Sequence, residues 1–222
     1  MAALAHLSRP GKREQNKAQN RAEILTAARQ VFTELGYGAA SIRDIIRRTN
    51  LAAGTFYNYF PDKESIFREL VEESARQVRA RLRAARDRAT TLEEFVGGAY
   101  HAFFQFVADD RVTFELMRRN DAAMRAMTGA PTLLAGVTEL HEDLEAAVER
   151  GDLPPHDAEY LAAAMAGVGF EVAVRMVERN PPDVDGASRF ATELFLGGIE
   201  RLRRADADPG RGSGRTRQNT KK

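Results

Sequence analysis

The chain has 222 residues, 43% hydrophobic and 29% charged, with a formal net charge of +1. That is enough for one or two domains with a real core and ordinary for a globular protein. The absence of cysteine excludes disulfides, thiolate catalysis and thiolate zinc sites, and the four histidines (His6, His101, His141, His156) lack metal-motif spacing. The net charge conceals a split. Residues 1–88 carry 17 basic against 10 acidic side chains, residues 89–204 carry 11 against 20, and residues 205–222 carry 5 against 2. A basic front and an acidic rear suit a polyanion-binding module joined to something else, although solvated helix faces would leave the same trace. No apolar run of membrane-spanning length and no signal-peptide core are read, so a cytoplasmic chain with no membrane partner is expected.

Residues 1–18 have no apolar period and carry Arg9, Lys12, Arg13 and Lys17. They read as a flexible basic arm of the kind that follows phosphates or enters a minor groove. The first helix is expected from about Asn20 to Leu35, on the stripe Ile24, Ala28, Val31 and Leu35, with Gly36 as its stop. Ser41 and Asp44 form a capping-box start for a second short helix with Ile42, Ile45 and Ile46 on its buried side. Asn50 is expected in the turn because asparagine tolerates the left-handed conformation. The third helix is short, about Ala52 to Tyr59, and ends in the cluster Phe56, Tyr57, Tyr59 and Phe60. Its small leading residues, Ala52 to Thr55, let backbone approach DNA. Thr55 can meet a base edge, and the phenols of Tyr57 and Tyr59 can reach phosphates. Phe56 and Phe60 read as core anchors against the first helix.

Pro61 ends that element and Asp62 caps the next, which is expected to reach about Arg88. Lys63 sits in its first turn, a poor place for a cation on dipole grounds that a nearby phosphate would resolve. The arginines from Arg76 to Arg88 read as a solvated face. Thr91 and Glu94 open the most aromatic helix, and Val112 to Asn120 follow as another. Pro131 to Arg150 carries the stripe Leu133, Leu134, Val137, Leu140, Leu144 and Val148. Asp157 caps a helix rich in alanine and glycine that runs to about Arg179, and the last runs from about Asp185 to Arg204. Residues 205–222 are polar and glycine-rich and read as a disordered tail.

The run SIRDI, a turn, then GTFYNYFPDKESIF resembles the DNA-binding domain of the TetR family of bacterial transcriptional repressors. The resemblance covers residues 20–70. It implies an all-α protein: an N-terminal three-helix helix-turn-helix domain at 19–62, and a larger helical ligand-binding and dimerisation domain at 63–204. It also implies a homodimer on a palindromic double-stranded operator. The helix from Asp62 to Arg88 then links the two domains as a lever for ligand-driven population shift. Carried over by position, the DNA contacts are Ser41, Arg43, Gly54, Thr55, Tyr57, Tyr59 and Lys63, with Lys12, Arg13 and Lys17 beside the groove. Asn50 and Ala52 depart from the family's usual glycine and serine or threonine, and Tyr59 from its usual histidine.

Too many rings lie in the acidic half for one seam. Phe95, Tyr100, Phe103, Phe104, Phe106, Phe114, Met117, Met124, Met165 and Phe170 are therefore expected to line an apolar pocket between helices. The spacing of Phe103, Phe106, Phe114, Leu116, Arg118 and Arg119 is similar to family members that bind fatty acyl thioesters. This implies acyl-coenzyme A as the effector, with Arg118 and Arg119 near its phosphates. The competing reading is that both arginines pair with Asp109, Asp110, Glu115 or Asp121 on the surface. The family's paired last helices imply a dimer seam at Ala166, Gly169, Ala173, Phe190, Leu194, Phe195, Gly198 and Leu202. No cofactor is expected. With no nucleophile–base signature an enzyme is not expected either. The alternative to a sensor is a DNA-binding protein with a filled core and no small-molecule effector.

Overall fold

The computed structural model describes residues 11–119 and 131–207. Among them every regular element is an α-helix: α1 Lys12–Leu35, α2 Ile42–Ile46, α3 Ala53–Tyr57, α4 Lys63–Arg86, α5 Leu92–Asp109, α6 Arg111–Arg119, α7 Pro131–Glu149, α8 Ala158–Val177 and α9 Val184–Ala207. Residues 1–10, Met124, Met127 and the tail beyond 207 lie outside the described residues, as do the side chains of Leu133 and Leu134.

The chain forms two compact units, and they are not contiguous stretches. The first holds residues up to Arg76 together with Asp110–Pro131; the second holds Gln77–Asp109 and everything from Thr132. The expected division after residue 62 therefore differs from the observed one, because α4 contributes to both units and α6 packs on α1.

In the first unit, Ile24, Ala28, Val31 and Phe32 of α1 are buried with Ile45, Phe56, Phe60, Ile66, Phe67 and Leu70. Phe32, Tyr37 and Phe67 meet edge-on or tilted, with centroids 4.7–6.1 Å apart. The short α2 and α3 have too few turns to persist alone, so they depend on this core. Leu35, expected in the stripe, is instead half exposed at the end of α1. On the α6 side, Arg29 of α1 pairs with Asp110 at 3.5 Å, just before α6 begins.

The caps follow the sequence. Ser41 and Asp44 form the reciprocal box, Asp44 N–H to Ser41 Oγ at 3.3 Å and Ser41 N–H to Asp44 Oδ2 at 3.0 Å. Asp62 accepts from the Ser65 N–H at 2.7 Å, Thr91 from Glu94 at 3.1 Å and Asp157 from Tyr160 at 3.0 Å. These contacts stop helices from fraying at about 1 kcal/mol each.

In the second unit α5 packs on α8 and α9, which also pack on each other. Tyr100 donates its buried hydroxyl to the Met165 carbonyl at 3.1 Å, and burial pushes its pKa up. The arginines of late α4 are not a solvated face. Arg79, Arg83 and Arg86 converge on Glu139 of α7, and Arg86 Nε reaches Asp143 at 2.7 Å. The guanidinium groups of Arg79 and Arg83 hold the Glu139 carboxyl well down, at about 2, against the opposing effect of burial. By length and composition α8 could cross a membrane. Its Ala162, Met165, Gly169, Ala173 and Met176 are buried within the unit.

Candidate nucleic-acid interface

The exposed surface of the helix-turn-helix is built on the caps and anchors just described. Phe56 and Phe60 point into the core, which turns Tyr57 outward, 53% exposed, at the end of α3. The Tyr57 hydroxyl is thus free to meet a partner while its ring leans edge-on against Phe56 at 5.8 Å. Ala52, Ala53 and Gly54 form an exposed edge of small side chains. A Cβ on Gly54 would meet nothing within 4 Å, so the fold itself does not demand glycine there. Ser41 and Arg43 are exposed on α2, and Thr55 is half-buried.

Four sequence expectations need correction. Lys12, Arg13 and Lys17 do not lie on a loose arm: they are exposed along the first turns of α1, which begins at Lys12 and not near Asn20. No apolar period marks those turns because they are exposed, and lysine, arginine, glutamine, glutamate and alanine keep them helical by propensity. Lys63 does not await a phosphate. Its ammonium donates to the carbonyls of Tyr37, Gly38 and Ala40 at 2.9, 3.2 and 3.0 Å, and it sits 4.8 Å from the Tyr37 ring centroid. All three donors are engaged, so the dipole conflict is answered inside the fold. Asn50 is not left-handed, since no described residue except glycine has positive φ. Its backbone N–H instead donates to Glu23 at 2.6 Å, which fixes the turn to α1. Tyr59 is half-buried, its hydroxyl accepting from Asn20 Nδ2 at 3.1 Å. It is held in place rather than fully presented.

The sequence reading missed the ties that fix this frame. Arg21 pairs with Glu69 (Nε to Oε1, 2.6 Å) and lies 4.7 Å from the Phe60 ring centroid. Arg48 pairs with Glu34 at 2.7 Å and holds that carboxyl below its usual range. Such partners lie many residues apart and carry no local spacing signal.

The expected ligand residues are distributed over both units. Phe114, Met117, Arg118 and Arg119 belong to the first unit, and Phe95 to Phe106, Met165 and Phe170 to the second. Arg118 and Arg119 pair with Glu115 at 2.8 and 3.2 Å, as the competing surface reading had it. In the second unit Tyr100 stacks on Phe104 at 5.8 Å and tilts against Phe195 at 5.9 Å, with Phe103 beside Phe104 at 5.8 Å. Phe106 is buried under Arg81, Phe95 is half-buried, and Phe170 is exposed.

The expected dimer seam also divides. Gly169 and Ala173 are buried within the unit: a Cβ on Gly169 would lie 3.4 Å from the Tyr100 ring, so Gly169 is small to admit α5. Phe195 faces inward to Tyr100, and Ala166 is half-buried. Phe190, Leu194, Gly198 and Leu202 are exposed on α9, and Tyr160, Gly167 and Phe170 on α8.

Residues 24–70 match the profile described as "Bacterial regulatory proteins, tetR family". Over 185 residues, 83% of this chain and 84% of the relative, the chain is 22% identical to the HTH-type transcriptional activator FasR of Mycolicibacterium smegmatis. The fold is similar to that of the fatty acid degradation regulator FadR from Bacillus halodurans. There the TM-score is 0.72 at 24% identity, covering 86% of this chain and 98% of that one. It is similar too to FadR from Bacillus subtilis in complex with stearoyl-CoA, with a TM-score of 0.69 at 22% identity over 80% and 98% of the two chains.

Proposed function

We propose that this chain, whose residues 24–70 match the profile of bacterial regulatory proteins of the tetR family, is a ligand-responsive transcriptional regulator acting as a homodimer on a palindromic operator. The observation that carries the DNA half is the outward Tyr57 beside the small edge Ala52 to Gly54, both fixed by inward Phe56 and Phe60. Small residues admit a phosphate backbone, and a phenol donates to it. Ser41, Arg43 and Thr55, and the exposed helical basic residues Lys12, Arg13 and Lys17, are assigned to DNA contact in the same proposal. A fragment-selection experiment supplies the operator. Tyr57→Phe then weakens binding about fivefold without lowering thermal stability. Gly54→Ala, which the free fold accommodates, weakens it too. Wild-type affinity in both sinks the assignment of α3 to the groove.

The dimer half rests on α8 and α9. Large apolar side chains on the exposed side of a helix favour cover by a partner. One side of α8 packs on α5, while Tyr160 of α8 and Phe190 (58% exposed), Leu194 (51%) and Leu202 of α9 are large apolar side chains exposed to solvent. A second copy of the same face is the cover. Phe190→Asp with Leu194→Asp is expected to shift sedimentation from dimer to monomer and to lower operator affinity at least tenfold, with helicity retained.

The effector is proposed to be a long-chain fatty acyl thioester, the class named for the Bacillus subtilis relative, binding through the apolar and aromatic second unit. It regulates by preferring one arrangement of the dimer, with α4 as the covalent route between the units. Calorimetric titration with oleoyl-, palmitoyl- and stearoyl-coenzyme A tests this; no heat and no change in operator affinity with any of them sinks it. A second reading has its own observation. Tyr100, Phe103, Phe104 and Phe195 already pack on one another, which suits a DNA-binding protein with a filled core and no effector. Native mass spectrometry of the purified dimer separates the two, since only a sensor carries or accepts an added acyl mass.

A further inference from the structure

The end of α1, the 36–40 loop and α6 enclose a cavity of about 480 Å³ within the first unit. That size falls in the ordinary range of small-molecule sites. Its floor is buried Phe32 and Leu116, and its sides include Leu35 and Val112, two large apolar side chains left substantially exposed. Tyr37 completes the apolar wall. Three arginines, Arg111, Arg118 and Arg119, stand at the rim against one carboxylate, Glu115, which already takes Arg118 and Arg119. Arg111 makes no ion pair among the described residues. An apolar slot with an excess of cationic rim suits a molecule with one apolar body and one acidic head.

We propose that this cavity between α1, the 36–40 loop and α6 binds a small anionic amphiphile, its chain against Leu35, Tyr37 and Val112 and its acidic head on Arg111. The site is separate from the effector reading above, which concerns the second unit, and stands without it. Its wall is a sensitive one. The same loop gives the carbonyls of Tyr37, Gly38 and Ala40 to Lys63 and runs directly into Ser41, the cap of α2. A bound chain therefore bears on the segment that sets where the helix-turn-helix begins.

The test is photolabelling of the full chain with a diazirine-bearing octanoate and with the same chain ending in phosphate, followed by mass spectrometric mapping. The expected result is label within residues 32–39 and 111–119. It should drop at least fivefold in Arg111→Glu and in Leu35→Asp, with no such label from a trimethylammonium-headed probe of the same length. Labelling by only one of the two acids supports the site and identifies which acid it takes. Label confined to α5 and α8 overturns this site while leaving the acyl effector standing. Equal labelling by the cationic probe, no label from either acid, or label undiminished in Arg111→Glu also overturns it. Arg111 is exposed at the start of α6, so that variant keeps its fold and its melting curve confirms this.

Discussion

The two units differ in how their sequences specify them. In the first, short helices depend on particular polar atoms at particular positions: Ser41 with Asp44, Asp62 with Ser65, Glu23 on the Asn50 N–H, Lys63 on three carbonyls. In the second, long helices share a pool of alanine, glycine and phenylalanine, and any of several faces could serve as core. The lesson is that a specific residue reports a specific place, whereas an apolar surplus reports only that more than one surface will be covered.

If that contrast is right, the first unit fails sharply when one anchor is removed. Phe56 is fully buried and turns Tyr57 outward. Phe56→Ala is expected to cost about 3–5 kcal/mol through lost burial and cavity formation. Loss of operator binding should accompany a lowered melting temperature. A melting temperature unchanged from wild type would mean that α3 is held by something other than its ring.

The arginine cluster on Glu139 departs from the apolar character of the second unit, and it sharpens the comparison. Glu139 receives Arg79, Arg83 and Arg86, and its carboxyl is held at about 2 instead of the usual 4.5. A depressed folded-state pKa contributes stability that is fully present above about 4.5 and is lost as pH falls toward about 2. Glu139→Gln should therefore lower stability at neutral pH by about 1–3 kcal/mol, discounted for solvent at the rim. It should also flatten the acid limb of a denaturant-monitored stability curve between those two pH values. An acid limb as steep as wild type would show that other carboxylates carry it.

Legibility in the sequence followed the same division. Caps at Ser41, Asp62, Thr91 and Asp157, the inward Phe56 and Phe60, and the helix order were all readable, because capping chemistry and the 3.6 period act over three or four residues. What could not be read depended on partners far along the chain. Arg79, Arg83 and Arg86 look solvated until Glu139, more than fifty positions away, is placed among them. Gly169 and Ala173 look like a dimer seam until the Tyr100 ring is found against Gly169. That the expected aromatic set is divided between two units, with α6 in the first, could not be read either.

Lys63 gives a smaller effect that separates a structural from a DNA-contacting lysine. With its ammonium on three carbonyls, Lys63→Ala should destabilise the protein by about 1–2 kcal/mol, the scale of charged hydrogen bonds partly replaced by water. The salt dependence of operator binding should change by less than the one unit expected for a lost phosphate contact. A full unit of lost slope with unchanged stability would restore the phosphate assignment.

The smallest effect bears on the turn. A glycine at position 50 would stabilise a left-handed backbone, and the resemblance to the family's usual turn glycine invites that substitution. In this chain Asn50 has negative φ, and its N–H is already held by Glu23 at 2.6 Å. Glycine gains nothing from a conformation that asparagine adopts without strain, and it loses more entropy on folding. Asn50→Gly should therefore destabilise by about 0.5 kcal/mol, and Glu23→Gln, which weakens the acceptor, should act in the same direction. If Asn50→Gly raises the midpoint of urea denaturation, the turn in solution visits the left-handed region, and the contact to Glu23 is not what fixes α2 and α3 on α1.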